Sequence, residues 1–470
     1  MPAFLRTLRH QHFVAFSLLF FGLMGCSASQ PARRPSEPLM PQIRLDSAPE
    51  RPRTAATYRP TAPAPAWRPA AHKDPYPVML GIDVLEAENF AAIRGKRIGL
   101  LTHPAGVDRR GVRTVDVLLH APGVKLVALY GPEHGLNGDA PASVRVPSSI
   151  DPRTGLPVYS LYDRFRKPTK AMLRGIDAMV IDLQDIGTRS YTFVSAMKAT
   201  MAACFENNIE VVVLDRPNPL GGLKVDGPLL DPRWRKNNYV GAFPVPYVHG
   251  LTIGELARMA KEVPGVLDVP DSVRQRGRLV IIPMRGWHRW MRWPDTGLRW
   301  VPTSPMIRDF AAVVGYPMVG LGTYIGGFRH GVGGLAPFRG LYHPDVSGDQ
   351  LIRDLDAFKI PGLRFRRVQA PMHDGRPGTG IYVDVVNWDQ WHPTQLNFYL
   401  MKLACRYDRN PFLKARQGVL NGFLRLMGSD AFLDALRRDG DRVDVPAFFH
   451  KWEVQDRIYQ QASKRFWLYN

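Results

Sequence analysis

Residues 125–135 read Lys-Leu-Val-Ala-Leu-Tyr-Gly-Pro-Glu-His-Gly, in which an apolar run of strand length at 125–130 is followed by a turn framed by glycine and proline at 131–135. The run does not alternate apolar with polar residues, so we expect both of its faces to be buried. Four similar runs follow the same pattern, at residues 97–101, 178–181, 210–214 and 279–283. Because helical periodicity separates these runs, the sequence predicts an α/β fold with a Rossmann-like, mostly parallel sheet.

The pattern changes after about Pro305, which predicts a second, smaller part of the chain. Helices are expected in the first part at 113–120, 170–174, 192–207 and 252–262. In the second part, strands are expected near Phe365 and Ile381, and helices at 395–407, 414–427, 431–438 and 446–466. We therefore predict a Rossmann-like catalytic domain over 79–305 and an α+β C-terminal domain over 306–470 that completes the cleft.

The first 78 residues predict export and a lipid anchor. Two arginines precede an apolar run at 13–24, and Leu-Met-Gly-Cys follows at 23–26, which is the order of a bacterial lipoprotein signal. Lipidation of Cys26 would attach the chain to a membrane, and in a Gram-negative host we expect the periplasmic face of the outer membrane. A plain signal peptide is the alternative. Residues 27–78 are rich in Pro, Ala, Arg and Ser, and they predict a disordered tether.

Charge and cysteine content narrow the classes of function. The formal net charge is +20, which favours anionic partners such as an acidic envelope polymer. A solvated surface that happens to be basic would explain the same net charge. Because no compact Lys/Arg run follows the first 75 residues, we do not expect nucleic acid as a partner. The sequence has three cysteines, too few for a disulfide framework or a cysteine zinc site. Cys204 and Cys405 lie in apolar helical stretches and are expected to be buried thiols.

Ionisable residues follow the predicted strands, where an open parallel sheet binds its ligands. The turns at 102–106, 131–135, 182–191 and 215–219 all carry them. None contains a dinucleotide fingerprint, a phosphate-binding loop or a Gly-x-Ser-x-Gly elbow, so we expect no cofactor and no serine nucleophile. Carboxylates and histidines remain; they are Glu133, Asp182, Asp185, Asp215, His103, His134 and His249. These residue types fit glycoside hydrolysis or metal-assisted hydrolysis, and their spacing favours neither.

Six ordered blocks from residue 79 onward give the chain a family resemblance. They include Gly-Ile-Asp at 81–83, Gly-Pro-Glu-His-Gly at 131–135 and Asp-Arg-Pro-Asn-Pro-Leu-Gly-Gly at 215–222, and the other three lie at 154–162, 182–191 and 249–257. This succession resembles the bacterial exo-β-N-acetylmuramidases of the NamZ type. The resemblance implies removal of N-acetylmuramic acid from the non-reducing ends of peptidoglycan fragments, with a muropeptide or disaccharide as the partner molecule. It also implies that Glu133 matches the presumed catalytic glutamate, with His134 beside it.

The C-terminal wall of the implied cleft departs from the family pattern. The family usually has Glu at the position of Leu321 and Asn at the position of Tyr324. It usually has an acid in place of Arg339 and Asn in place of Met306, and residues 328–331 replace its Gly-Arg-Gly turn. These departures motivate an alternative, a non-catalytic envelope lipoprotein that binds peptidoglycan or another acidic glycan. The number of Asp and His residues motivates a third hypothesis, a metal-dependent hydrolase.

Our leading hypothesis assigns a role to each candidate residue. Glu133 is the general acid, and Asp185 positions water or stabilises the positive centre, with His134 as the third catalytic candidate. Arg189 and Tyr191 begin a predicted helix, where an anion such as a lactyl carboxylate is favoured. The other candidates for substrate binding are Asp182, Asp215, Arg216, Asn218, His249 and Arg329. Each candidate also has a structural interpretation. An Asp after a strand often accepts backbone N–H groups, and Asp215 with Arg216 resembles an ion pair. The tryptophans at 287, 290, 293 and 300 could stack on sugars, but such clusters more often pack in a core.

Overall fold

The computed structural model describes residues 78–371 and 377–470. The predicted signal peptide, the lipidation site Cys26 and nearly all of the predicted tether lie outside the described residues, so all three stay predictions. Within the described residues, no helix combines the length and apolar character that a membrane span requires.

A seven-stranded sheet forms the first part of the described chain and confirms the predicted α/β class. Its strands are arranged in the order β3-β4-β2-β1-β5-β6-β7, and all neighbouring pairs are parallel except β3 with β4. The strands are β1 (Arg97–Thr102), β2 (Lys125–Gly131), β3 (Ser149–Ile150), β4 (Pro157–Ser160), β5 (Ala178–Asp182), β6 (Glu210–Leu214) and β7 (Leu279–Ile282). Each predicted apolar run is therefore one strand of this sheet.

Both faces of this sheet are buried, because its side chains point alternately into two apolar cores. Leu100, Val180 and Leu214 belong to one core, and Met179 and Ile181 belong to the other. The helices of this part are α1 (Gly81–Ala87), α2 (Thr114–Leu119), α3 (Phe193–Glu206), α4 (Ile253–Glu262) and α5 (Asp271–Arg276).

The second part contains a small antiparallel sheet and a group of helices. The sheet has the order β10-β11-β9-β8, with β8 (Arg329–His330), β9 (Gly340–Tyr342), β10 (Leu363–Pro371) and β11 (Pro377–Val385). The helices are α6 (Phe310–Val319), α7 (Gly348–Asp356), α8 (Gln395–Tyr407), α9 (Pro411–Lys414), α10 (Gln417–Met427), α11 (Ala431–Asp439) and α12 (Val445–Ser463). The core that contains Met179 also contains Val314, Leu400 and Phe423, so the apolar packing is continuous across both parts. The domain boundary near residue 305 stays a prediction.

Two predicted helices differ from the structure for local reasons. Residues 170–174 form turns rather than a helix, because Thr169 caps the segment and Gly175, at φ +78°, ends it within one turn. The helix expected over 414–427 is divided, because Ala415 and Arg416 are extended between α9 and α10. Cys204 and Cys405 are buried, as predicted.

Candidate active site

The carboxyl ends of β2, β1, β5 and β6 bring several predicted site residues to one edge of the sheet. Glu133 and His134 follow β2, His103 follows β1, and Asp185 follows β5. Because β1 separates β2 from β5, the backbones of those two strands lie about 10 Å apart, two strand spacings. The side chains that follow them share the space above β1.

The turn after β2 holds Glu133 in a tightly constrained backbone. His134 has φ +71°, a left-handed conformation that is rare for a residue with a side chain. The His134 Nδ1 atom is 2.7 Å from the carbonyl oxygen of Ala140, to which it donates, and this bond supports the unusual conformation. Gly131 has no room for a side chain, since a Cβ atom there would lie 2.8 Å from the backbone nitrogen of Leu136.

Glu133 is 8% exposed, and protein donors hold its carboxyl group. The Ser143 N–H donates to Oε1 at 3.0 Å, and the Thr192 hydroxyl donates to Oε2 at 2.6 Å. Burial, and then the charge of Glu133, raise the pKa of the nearby Tyr162 hydroxyl. Thr192 immediately precedes α3, so the first turn of that helix fixes the position of the carboxyl group. The donors point it in one direction, as a catalytic carboxyl group requires.

Asp185 is a second buried carboxyl group, and its bonding is incomplete. Its Oδ2 accepts the Gly187 N–H at 2.8 Å, while its Oδ1 has no hydrogen-bond partner among the residues described. Burial raises the pKa of Asp185 to about 7, because the loss of solvation outweighs the backbone hydrogen bonds from Gly187 and Ile186. The group therefore exchanges its proton close to neutral pH.

His249 lies beside Asp185 and is neutral. Burial, and then the positive charge of Arg189, lower the pKa of His249 to about 3. Its Nδ1 accepts the Leu251 N–H at 3.1 Å, so the ring proton is on Nε2. That Nε2 is 3.9 Å from Oδ2 of Asp185, which is too long for a direct hydrogen bond. His249 thus presents a neutral N–H group to the neighbourhood of Asp185.

His103 also lies at this edge, although the sequence hypothesis gave it no role. Its Nε2 accepts the Gln184 N–H at 2.9 Å, which places the ring proton on Nδ1. Burial lowers the pKa of His103 well below its usual value, and the charges of Arg216 and His134 act in the same direction. Its Nδ1 has no hydrogen-bond partner in the described part of the chain. His103 is therefore a neutral donor next to His134.

Tyr191 connects the surroundings of the two carboxyl groups. Burial raises its pKa, and the negative charges of Asp185 and Glu133 add to the effect. Its hydroxyl donates to Thr303 Oγ1 at 2.7 Å, and its ring meets the ring of Tyr316 edge-on, with centroids 5.9 Å apart. Tyr316 has a pKa raised by burial and, to a lesser degree, by Glu133. The second part of the chain therefore contributes Tyr316 to the same site.

Three predicted binding residues are occupied by contacts within the protein. Arg216 donates to both oxygens of Asp182, at 2.5 and 2.9 Å, in a buried ion pair. Asp215 accepts the Gly254 N–H and the Thr252 hydroxyl, each at 2.8 Å, and so anchors the start of α4. Asp215 accepts backbone N–H groups as the structural interpretation of such aspartates expects, whereas Asp182 is held by the side chains of Arg216 and Thr114. Arg216 thus pairs with Asp182 and not through its side chain with Asp215.

Two more predicted binding residues hold the backbone together. Asn218 accepts the Leu220 N–H and donates to the Leu251 carbonyl, each at 3.0 Å. Arg189 donates to four backbone carbonyls, those of Pro228, Val245, Leu426 and Met427, at 2.7–3.1 Å. Two of these carbonyls end α10, where a cation offsets the partial negative charge of the helix terminus. The guanidinium that we expected to bind a lactyl carboxylate is thus committed to joining β5 to the second part of the chain.

A cavity of about 360 Å³ opens beside Tyr316, and we call it the tyrosine cavity. Its wall contains four residues that depart from the family pattern, one of them the predicted binding residue Arg329; they are Leu321, Tyr324, Arg329 and His330. Phe338, which fits the pattern, also lines the wall. His330 stacks on Phe338 with ring centroids 4.0 Å apart. Arg329 donates through Nη1 to the carbonyls of Gly326 and Phe328, while its Nη2 makes no hydrogen bond to the described residues. The exposed end of this guanidinium is free to bind an anion.

Sequence reasoning missed Thr192, Tyr316 and Ser143. Thr192 was detectable in part, because it stands at the start of a predicted helix directly after a motif block. Tyr316 lies in an apolar helical stretch and carried no signal, because only the packing of α6 against the first part brings it to Tyr191. Within the described residues, no three His, Cys, Asp or Glu side chains are grouped so as to hold a metal ion.

Comparisons with known proteins agree with this architecture. The model for the N-terminal part of the exo-β-N-acetylmuramidase NamZ matches residues 98–311, and the model for its C-terminal part matches residues 314–469. The peptidoglycan β-N-acetylmuramidase NamZ of Bacillus subtilis (strain 168) is 38% identical over 331 residues, which are 69% of this chain and 77% of that protein.

Two crystal structures of DUF1343 family proteins from Bacteroides fragilis NCTC 9343 are also similar. One has a TM-score of 0.74 and 36% sequence identity, and the other has a TM-score of 0.62 and 26% identity. Each comparison covers 84% of this chain and 99% of the solved one. The similarity therefore extends over both parts of the fold.

Proposed function

The chain belongs to the NamZ exo-β-N-acetylmuramidase family, and we propose that it is an exo-acting glycosidase that removes N-acetylmuramic acid from the non-reducing ends of peptidoglycan fragments. The observation that carries the proposal is that two buried carboxyl groups, Glu133 and Asp185, follow β2 and β5 at the same edge of the sheet. Hydrolysis of a glycosidic bond needs two such groups on either side of the bond.

Glu133 is the general acid of this proposal. Its hydrogen bonds with Ser143 and Thr192 hold the carboxyl group rigidly, so that its proton can be delivered to the leaving glycosidic oxygen without reorganisation. Asp185 then orients the attacking water or stabilises the positive charge that develops on the sugar. The buried rings of His103 and His249 are neutral, so they add no positive charge beside the carboxyl groups.

One observation favours the reverse assignment of the two carboxyl groups. With a pKa of about 7, Asp185 carries a proton during much of its time at neutral pH, and this is what a general acid needs. In this second assignment Asp185 protonates the leaving group and Glu133 supports the attack of water.

Arg329 is the group that we propose for the carboxylate of N-acetylmuramic acid. Arg189, the first candidate, spends its donors on four backbone carbonyls, whereas Arg329 lines the tyrosine cavity and is exposed. A guanidinium binds a carboxylate through charge-assisted hydrogen bonds. Phe338 and Tyr324, on the same wall, offer aromatic surfaces for the apolar face of the sugar.

A comparison of leaving groups tests the proposal and separates the two assignments. Purified wild type, Glu133→Gln and Asp185→Asn are given β-N-acetylmuramides with a 4-nitrophenyl group and with a poorer alkyl leaving group. The variant that lacks the general acid loses far more rate on the alkyl substrate, because nitrophenolate leaves without a proton. Glu262→Gln, on the exposed surface of α4, is the matched control and should keep its activity. No release by wild type from either substrate contradicts the proposal.

The altered residues of the tyrosine cavity favour a second candidate function, an envelope protein that binds an acidic glycan without cleaving it. Leu321 and Arg329 stand at positions where the family pattern is different, so the wall that faces the sugar has changed. This candidate requires saturable binding to purified cell-wall sacculi with no free muramic acid detected by mass spectrometry. Release of muramic acid rejects it.

We also propose that the chain is exported and anchored in the cell envelope by a lipid on Cys26. The support is the signal-like order of residues 1–26. Metabolic labelling with palmitate in a bacterial host tests it, and we expect the wild type to be labelled and Cys26→Ala to be unlabelled. Equal labelling of the two proteins contradicts the anchor.

A further inference from the structure

A second cavity, of about 390 Å³, lies at the same edge of the seven-stranded sheet, and we call it the arginine cavity. Its wall contains five arginines and a single aspartate, Asp108. Asp108 pairs with Arg110 at 2.7 Å, and Arg216 pairs with Asp182. The three other arginines, at 109, 113 and 299, form no ion pair with any carboxylate in residues 78–371 and 377–470. The cavity therefore has an excess of uncompensated positive charge.

Two buried polar groups on the wall also lack partners. Gln184 is 1% exposed, and its Oε1 accepts no hydrogen bond from the residues that the structure describes. Trp293 is 6% exposed, and its Nε1 likewise has no acceptor there. Buried polar groups are nearly always hydrogen-bonded, so one acceptor and one donor beside the cavity have hydrogen-bonding capacity that the protein does not fill. Both atoms are enclosed, and a ligand with hydroxyl or amide groups would reach them only after these side chains rotate.

An aromatic surface completes the cavity. The rings of Trp293 and Trp300 meet edge-on with centroids 4.9 Å apart, and both line the wall. Tryptophan beside polar groups is suited to the apolar face of a sugar ring. A ligand that matches every feature of the wall carries an anionic group, hydroxyl or amide groups, and an apolar face. An acidic saccharide has all three.

The arginine cavity adjoins the candidate catalytic groups without containing them. Gln184 directly precedes Asp185, and its Nε2 donates to the Asp185 carbonyl at 2.8 Å. Pro302, also on the wall, precedes Thr303, which accepts the hydroxyl of Tyr191. Neither Glu133 nor Asp185 lines the cavity. A ligand there would be separate from the sugar bound in the tyrosine cavity.

We propose that the arginine cavity is a second binding site for an acidic saccharide, which Arg113 and Arg299 hold by its carboxylate and Trp293 and Trp300 hold by its apolar face. The binding of a carboxylate-bearing saccharide follows from this wall alone, whereas its origin in peptidoglycan rests on the proposed function. The volume suits one sugar unit with its substituents.

Isothermal titration calorimetry tests the proposal with free N-acetylmuramic acid as the probe and N-acetylglucosamine, which lacks the lactyl carboxylate, as the matched ligand. We expect the purified chain to bind two N-acetylmuramic acid molecules. The double variant Arg113→Gln/Arg299→Gln should lose one site, with affinity there reduced roughly tenfold or more for each guanidinium removed. Arg329→Gln should weaken the other site. Arg437→Gln, the same change of charge on exposed α11, should bind as wild type does.

Thermal unfolding of each variant shows whether it is folded. Three results overturn the proposal: an unchanged second site in the double variant, equal binding of N-acetylglucosamine at that site, and binding of inorganic phosphate there as tightly as the saccharide. Failure of the proposed function is seen separately, as the absence of hydrolysis by wild type. If the double variant loses saccharide binding but wild type does not hydrolyse, the second binding site is supported and the proposed glycosidase activity is rejected. If wild type hydrolyses but the second site is absent, the activity is supported and the second binding site is rejected.

Discussion

Replacing Asp185 by asparagine should stabilise the protein above pH 7 and leave its stability nearly unchanged near pH 4. Burial raises the pKa of Asp185 from an ordinary value of 3.8 to about 7. Between these two values the folded chain binds more protons than the unfolded chain, so the free energy of unfolding falls as the pH rises through that window. Each pKa unit corresponds to about 1.4 kcal/mol, so the ionised carboxylate costs on the order of 4 kcal/mol above pH 7. Asparagine has nearly the same shape and avoids this cost.

Urea unfolding, followed by circular dichroism between pH 4 and 8, measures the effect. The difference between Asp185→Asn and wild type should grow with pH and level off above about pH 7. Other buried carboxyl groups, such as Glu255 and Asp456, titrate in both proteins and cancel in the difference. Asp434→Asn, on the exposed surface of α11, should show no such trend. A difference that is the same at every pH refutes the reasoning, because burial of an ionisable group must give a pH dependence.

The remaining predictions concern the fold, the turn after β2, and catalysis. Arg189→Met should lower the free energy of unfolding by about 3–5 kcal/mol in urea titrations, because four carbonyls lose their donor; a loss under 1 kcal/mol would contradict the role assigned to this guanidinium. Gly131→Ala should reduce kcat at least tenfold while substrate binding changes less, because the new Cβ displaces Glu133; an unchanged kcat would show that the turn tolerates it. If Asp185 is the general acid, kcat should fall as the pH rises above about 7, and if it acts as a base, kcat should rise through the same range; a flat profile excludes both roles. Hydrolysis should persist after exhaustive dialysis against EDTA, and its loss, with recovery on adding a divalent cation, would favour the metal-dependent hydrolase.

Five of the seven strands of the large sheet could be predicted, because each is a largely apolar run of strand length. The short strands β3 and β4 were not predicted. The run at 125–130 and the strand Lys125–Gly131 differ by one residue. The helix predicted at 170–174 is absent. These five residues have a helical pattern, but between Thr169 and Gly175 there is no room for more than one turn.

The edge of the sheet that carries the candidate site was predictable in outline and not in detail. The rule that ligands bind where parallel strands end was sufficient to bring Glu133 and Asp185 together. It could not assign Arg189, whose partners at Leu426 and Met427 are more than 230 positions away in the sequence. For the same reason Tyr316 escaped notice, since its position depends on how α6 packs and not on a local pattern. Contacts between distant parts of the chain decide which charged groups remain free for a ligand.

The most direct test of the proposed activity is the digestion of a defined peptidoglycan disaccharide with N-acetylmuramic acid at its non-reducing end. Wild type should release free N-acetylmuramic acid, detected by mass spectrometry, and Glu133→Gln should reduce the rate by at least a hundredfold while remaining folded. Release at the same rate by both proteins, or no release by wild type, would contradict the assignment of Glu133 as a catalytic group.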